Sequence, residues 1–135
     1  MLNFKKACAK IKVMTKIAII EDDAMIAQMY QMKFELDGFF VEISNNGSDG
    51  LKMLDDFKPD LLLLDIQLPE ISGIEVLKKL RQKANFKNLP IILLTNSDRS
   101  EIPENIEHLK IANYIVKANL TPRQVVEKVK ETLTK

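Results

Sequence analysis

Four acidic residues stand where they would work together. Glu21, Asp22 and Asp23 follow one short apolar run, Lys16–Ile20, and Asp65 follows another, Leu61–Leu64. Thr95 ends a third run, Pro90–Leu94, and Lys117 follows a fourth, Tyr114–Val116. A carboxylate can attack phosphorus to form an acyl phosphate, while an ammonium group and a hydroxyl bind the oxygens of the group in transit. Clustered carboxylates repel one another, and a divalent cation relieves that repulsion. All the candidate ligands are oxygens, the donor set of a hard ion such as Mg²⁺, and no His or Cys lies nearby in sequence to favour zinc. Asp65 is the preferred nucleophile because it ends the most apolar run. Each residue also has a plain reading: Asp22 or Asp23 as a helix cap, Thr95 as the end of a strand, Lys117 as a solvated charge. The weight lies in four strand ends carrying complementary chemistry.

Those ends meet only if the intervening segments fold in a particular way. The runs Lys16–Ile20, Phe39–Ile43, Leu61–Leu64, Pro90–Leu94 and Tyr114–Val116 alternate with stretches of helical period, the pattern of repeated βαβ units. This predicts an α/β fold with a five-stranded, doubly wound parallel sheet. In the strand order 2-1-3-4-5, the ligand crevice lies beyond the carboxyl ends of strands one and three, which brings Asp65 to Glu21, Asp22 and Asp23. Helices are expected over Ala24–Asp37, with Met25, Met29 and Met32 facing inward, and over Ser48–Phe57, with Leu51 and Leu54 inward. Ser72 with Glu75 and Thr121 with Gln124 read as capping boxes that open two further helices, the second with Pro122 at its first position. Ile74, Leu77 and Leu80, then Val125, Val126, Val129 and Leu133, give each an apolar stripe. The segment Ser100–Leu109 is the weakest helix, because Pro103 must fall in its first turn.

With 46% apolar and 29% charged residues among 135, the chain has the balance of one globular domain rather than a disordered tail. Its formal charge of +1 gives no general attraction to nucleic acid, so function must reside in a local site. No run approaches the roughly 18 apolar residues of a membrane helix. Cys8 is the only cysteine, which leaves no disulfide framework and suits a reducing, cytoplasmic setting. Residues 1–15 are read as an N-terminal extension, a tail rather than a signal peptide, although Phe4, Ala7, Cys8 and Ile11 fall at helical spacing; residues 16–135 are read as the domain.

From Lys16 to Leu133 the residues resemble the response-regulator receiver family. The strings Ile-Ile-Glu-Asp-Asp, Leu-Leu-Leu-Leu-Asp-Ile-Gln-Leu-Pro and Tyr-Ile-Val-Lys carry the likeness, as do the separations of 43 residues from Asp22 to Asp65, 30 from Asp65 to Thr95 and 52 from Asp65 to Lys117. The resemblance implies a flavodoxin-like receiver fold in which Asp65 becomes an aspartyl phosphate. It implies that Glu21 and Asp22 form an acidic pair with Asp22 the direct Mg²⁺ ligand, that Gln67 offers its backbone carbonyl to the metal, that Thr95 and Lys117 contact phosphoryl oxygens, and that Tyr114 swings inward with Thr95. Asp23 is left as a helix cap and His108 as a surface residue. The implied donor is a sensor histidine kinase or a histidine phosphotransfer protein, and the output is contact with a downstream protein by a monomer or a weak phosphorylation-dependent dimer, without direct binding to nucleic acid or membrane. Such a protein is a signalling phosphoacceptor and not an enzyme acting on a separate substrate. No output domain is expected after the last helix, so the chain is read as a stand-alone module.

Two departures from the family pattern bear on the switch. Ala118 follows Lys117 where receivers usually carry Pro in a cis linkage, and a cis bond before Ala would cost about 2.5 to 4 kcal/mol. Asn96 follows Thr95 where a small residue is common, and with Gln67 and Ser97 it occupies positions that tune phosphate lifetime. They motivate a rival reading, a receiver-fold interaction module without physiological phosphorylation. Enzymes on the same fold rank lower. An aspartate-nucleophile phosphatase would want a second Asp where Gln67 stands, and a nucleotide carrier would not want the repelling loop Glu21-Asp22-Asp23.

Overall fold

A computed structural model describes residues 15–96, 102–104 and 106–134. The apolar runs form β1 (Lys16–Ile20), β2 (Phe40–Ser44), β3 (Leu61–Asp65), β4 (Ile91–Thr95) and β5 (Asn113–Val116). All pair in parallel, in the order β2-β1-β3-β4-β5. The expected boundaries shift by one residue at four strands, and the shift matters at two of them: Asp65 and Thr95 are the last ladder residues of their strands rather than the first residues beyond.

The four α-helices found among the described residues are α1 (Ala24–Leu36), α2 (Gly47–Phe57), α3 (Gly73–Arg81) and α4 (Pro122–Leu133). A parallel sheet needs cover on both faces, so its central strands are apolar throughout rather than alternating. Period-two geometry still divides their side chains between two cores. Ile17, Ile19, Leu61, Leu63, Ile92 and Leu94 pack with Ala27, Tyr30 and Phe34 of α1 and Val125, Val126 and Val129 of α4. Ala18, Ile20, Leu62, Leu64, Ile91 and Leu93 pack with Leu54 of α2 and Val76, Leu77 and Leu80 of α3. Burying each such Leu or Ile contributes about 1.5–3 kcal/mol.

The helix starts follow side-chain capping. Asp23 accepts the Met25 and Ile26 N–H groups at 3.0 and 3.2 Å, as a cap should. At α4 the Thr121 hydroxyl accepts the Gln124 N–H and the Gln124 side chain accepts the Thr121 N–H, so both halves of the expected box are made. At α3 the Ser72 hydroxyl alone makes the cap, accepting the Glu75 N–H at 3.2 Å.

Two expectations are corrected. Met25, Met29 and Met32 do not face inward; they and Leu36 lie on the outer face of α1 and are 45 to 74% exposed. Ala27, Tyr30 and Phe34 form an opposing stripe of equal helical spacing, and the larger aromatic surfaces take the core side. Periodicity alone does not say which of two apolar stripes is buried. Second, the described part of Ser100–Leu109 holds a single 3-10 turn, Glu107–Leu109, in which His108 is exposed, with Lys110 in a left-handed conformation ending it. Arg81 anchors this region, donating to the carbonyls of Leu109, Phe86 and Lys110 at 2.7, 2.6 and 3.1 Å. The expectations for residues 1–14 and Ser97 lie outside the described residues.

Candidate functional site

Strand alternation chooses which carboxyl-end residues meet. Glu21 continues the series Ile17, Ile19; Asp65 continues Leu61, Leu63; Lys117 continues Ile115. All three project toward the α1/α4 side. There the Lys117 ammonium donates to Glu21 Oε1 at 2.8 Å and to Asp65 Oδ2 at 3.2 Å. The cluster is nearly dry: the side chains of Glu21, Asp65 and Lys117 are 0, 1 and 9% exposed. Asp22, one residue beyond Glu21, is exposed, and carboxylate oxygens of Glu21, Asp22 and Asp65 lie within 4.8 Å of one another.

The backbone holds this arrangement from several sides. Glu21 N–H donates to the Ser44 carbonyl at 3.0 Å and the Asn45 side chain donates to the Glu21 carbonyl at 2.9 Å, which fixes the loop after β1 against the end of β2. Glu21 Oε2 accepts the Asp23 N–H at 3.1 Å. Asp65 Oδ1 accepts the Gln67 N–H at 3.1 Å. Gly73 lets α3 start directly against the loop after β3: its N–H donates to the Ile66 carbonyl at 2.8 Å, and a Cβ there would collide with the Asp65 carbonyl oxygen.

Burial and the neighbouring Glu21 charge push the Asp65 carboxyl up to about 7, with Lys117 opposing. Burial by itself would lower the Lys117 ammonium, but its bonds and attraction to Glu21 and Asp65 prevail and raise it. Tyr30, buried beneath the cluster, is pushed up to about 12, by burial first and by Glu21 second. Three converging carboxylate oxygens, with no nitrogen or sulfur ligand among them, fit a hard divalent cation that keeps several waters.

Thr95 and Tyr114 belong to the other face of the sheet. Thr95 continues Ile91, Leu93 and is fully buried; it is level with Val116, two residues along β5 from Tyr114. Tyr114 is half-buried and lines, with Ile102, Ile106 and Ile111, a cavity of about 350 Å³. The structure therefore joins Glu21, Asp22, Asp65 and Lys117 in one cluster and sets Thr95, at the end of β4, and Tyr114, within β5, on the other face of the sheet. The Lys117–Ala118 peptide is trans. Sequence reasoning did not find Asn45 or Gly73, whose roles depend on contacts across loops, nor the pairing of Gln67 with Asn96, whose side chains meet at 2.9 Å.

The fold is a doubly wound α/β module with an acidic cluster at the carboxyl ends of its strands, and its likeness to known proteins gives the family. The family model for the response regulator receiver domain matches residues 17–130, and the chain belongs to that family. It is 36% identical over 123 residues to the phosphate regulon transcriptional regulatory protein PhoB of Rhizobium meliloti, covering 90% of this chain and 53% of that protein. It is 32% identical over 117 residues to the polar-differentiation response regulator DivK of Brucella anthropi, covering 87% of this chain and 94% of that one. The crystal structure of the response regulator TrrA from Thermotoga maritima in complex with Mg(2+)-BeF superposes with a TM-score of 0.76 at 29% identity, over 88% of this chain and 99% of that one. The chain spans about half the length of the transcriptional regulators it matches and nearly all of DivK. No helix among the described residues is long and apolar enough to cross a membrane.

Proposed function

We propose that Asp65 accepts a phosphoryl group from a sensor histidine kinase or a histidine phosphotransfer protein, and that the acyl phosphate changes contact with a downstream protein. The observation that carries this reading is the burial of Asp65 between Glu21, Asp22 and Lys117, an acidic cluster held to one cation and open to a second. An Asp65 carboxylate oxygen would bond to phosphorus as the bond from phosphorus to the donor imidazole nitrogen breaks; with the donor ring protonated on its other nitrogen, the products are a mixed anhydride and a neutral imidazole. Mg²⁺, when bound, would neutralise charge on the equatorial oxygens. Glu21, Asp22, Asp65 and the Gln67 carbonyl would hold it. Lys117 would exchange Asp65 Oδ2 for a phosphoryl oxygen, since its ammonium already sits 3.2 Å from the attacking carboxylate. The Thr95 hydroxyl would bind a further oxygen, and Tyr114 would follow it inward.

Support comes also from DivK, named as a response regulator, and from TrrA, which holds Mg(2+)-BeF. The test is incubation with a small phosphodonor and Mg²⁺, read by intact mass. The expected result is one phosphoryl mass increment that disappears in Asp65→Asn. No increment under conditions that label a known receiver would defeat the reading. Labelling without any change in partner binding would replace it with the non-switching module.

A further inference from the structure

On the outer face of α1, Met25, Met29, Met32 and Leu36 follow one another at steps of four, three and four residues. That spacing is the seam of a coiled coil, which takes one facing helix rather than a broad core. A single exposed Met is ordinary, but four large apolar side chains aligned along one helix mark a contact surface. Methionine suits such a surface because its unbranched chain adapts to what it meets. Among the described residues, Phe40 is the remaining exposed large hydrophobic residue, four past Leu36. The turn between them is closed by the Phe39 N–H on the Phe34 carbonyl at 3.1 Å, and the Phe40 N–H donates to the Thr15 carbonyl at 2.8 Å. Residues 1–14 therefore join the domain at the Leu36 end of the seam.

We propose that this seam is the docking site of the chain's own residues 1–14. The sequence of that segment supplies a matching stripe, since Phe4, Ala7, Cys8 and Ile11 recur at helical spacing. Its length fits as well. At 1.5 Å per residue, fourteen residues reach about 21 Å as a helix and Met25 to Leu36 spans about 16 Å, which leaves about two residues for the reversal into β1. The charges are opposite. Residues 1–14 carry Lys5, Lys6, Lys10 and Lys12 and no acidic side chain, formally +4, whereas Asp22, Asp23, Glu35 and Asp37 against Lys33 give α1 and its caps −3. The Lys130 ammonium, 2.8 Å from Asp37, lowers that to −2 without reversing its sign. A second copy of the chain would set two acidic helices against each other, so charge selects the basic segment over a dimer. Docked there, the segment keeps this face from other proteins until they displace it.

The test exploits Cys8, the single cysteine of the chain, which belongs to the apolar stripe of the segment. The full chain and its Met29→Ser/Met32→Ser variant are alkylated with iodoacetamide, a neutral reagent, and the rate at Cys8 is read by mass. Both substitutions lie at exposed positions outside the two cores. Circular dichroism and sedimentation in the same buffer report fold and size. The expected result is a monomer in which Cys8 reacts about ten-fold more slowly than in the variant, the protection that local docking of modest stability gives. Met25→Ser/Leu36→Ser, at the two ends of the seam, serves as the second variant should the first misfold, and is expected to release Cys8 too. Equal rates in full chain and folded variant overturn the proposal. A dimer of the full chain that the variant dissociates gives the face to a second copy and overturns it as well. No phosphodonor is present, so neither outcome bears on the phosphoacceptor reading of Asp65.

Discussion

Two sets of ion pairs in this molecule use the same chemistry in opposite surroundings. Lys117 meets Glu21 and Asp65 with side chains at most 9% exposed, whereas Lys83 meets Asp55 at 3.2 Å with both side chains 42 to 52% exposed. The surface pair can dissolve into water at little cost. The buried set cannot, since removing one member strands charge in a poorly solvated place. The distances are similar, so burial is what distinguishes the candidate cluster from the surface pair.

The largest perturbation of that contrast is Lys117→Met. It leaves Glu21 and Asp65 without their cation and is expected to cost about 3 kcal/mol in urea unfolding at pH 8 without divalent ions. The cost should shrink at pH 5, where Asp65 takes a proton; a cost equal at both pH values would show that the lysine acts by packing alone.

Asp65→Asn is the intermediate case and should have the opposite sign. Because the folded carboxyl is raised to about 7, above its ordinary 3.8, the folded state holds the proton more tightly than the unfolded one. The stability this gives is complete below about pH 4 and is lost as pH rises through about 7. The amide variant should remove that slope and stabilise the metal-free protein by about 1–2 kcal/mol at pH 8, checked by thermal unfolding across pH. Lys83→Ala should change stability by less than about 0.5 kcal/mol, with no dependence on the ionisation of Asp65. A larger effect would show that exposure underestimates this surface pair.

Much of the molecule is legible without coordinates. The runs of Leu and Ile give the central strands and their parallel pairing, since each is too apolar for a half-solvated sheet, and strand-end positions give Glu21, Asp22, Asp65, Thr95 and Lys117 as candidates. What escapes is information that depends on how elements meet. The stripes Met25–Met29–Met32 and Ala27–Tyr30–Phe34 are equally helical, and only packing selects the second. Gly73 looks like part of a capping box, but its lack of a side chain is what admits α3 beside the Asp65 backbone. Asn45 is an ordinary loop residue until its amide is seen on the Glu21 carbonyl, and Asn96, notable in sequence only for standing where a small residue is common, has its amide on Gln67. The segment containing Pro103 is weak by its own composition, and its described part forms only a 3-10 turn.

The cluster beside Asp65 also sets a charge balance. Three carboxylates and one ammonium leave a formal charge of −2 when all are ionised. A divalent cation cancels that charge outright, and protonation of Asp65 cancels half of it. On the proposed reading, proton and metal are alternative answers to one imbalance and would compete for the same Asp65 oxygen. Acidification should then weaken divalent-ion binding even though it leaves the ligands in place, because Asp65 would have to give up its proton to take the ion.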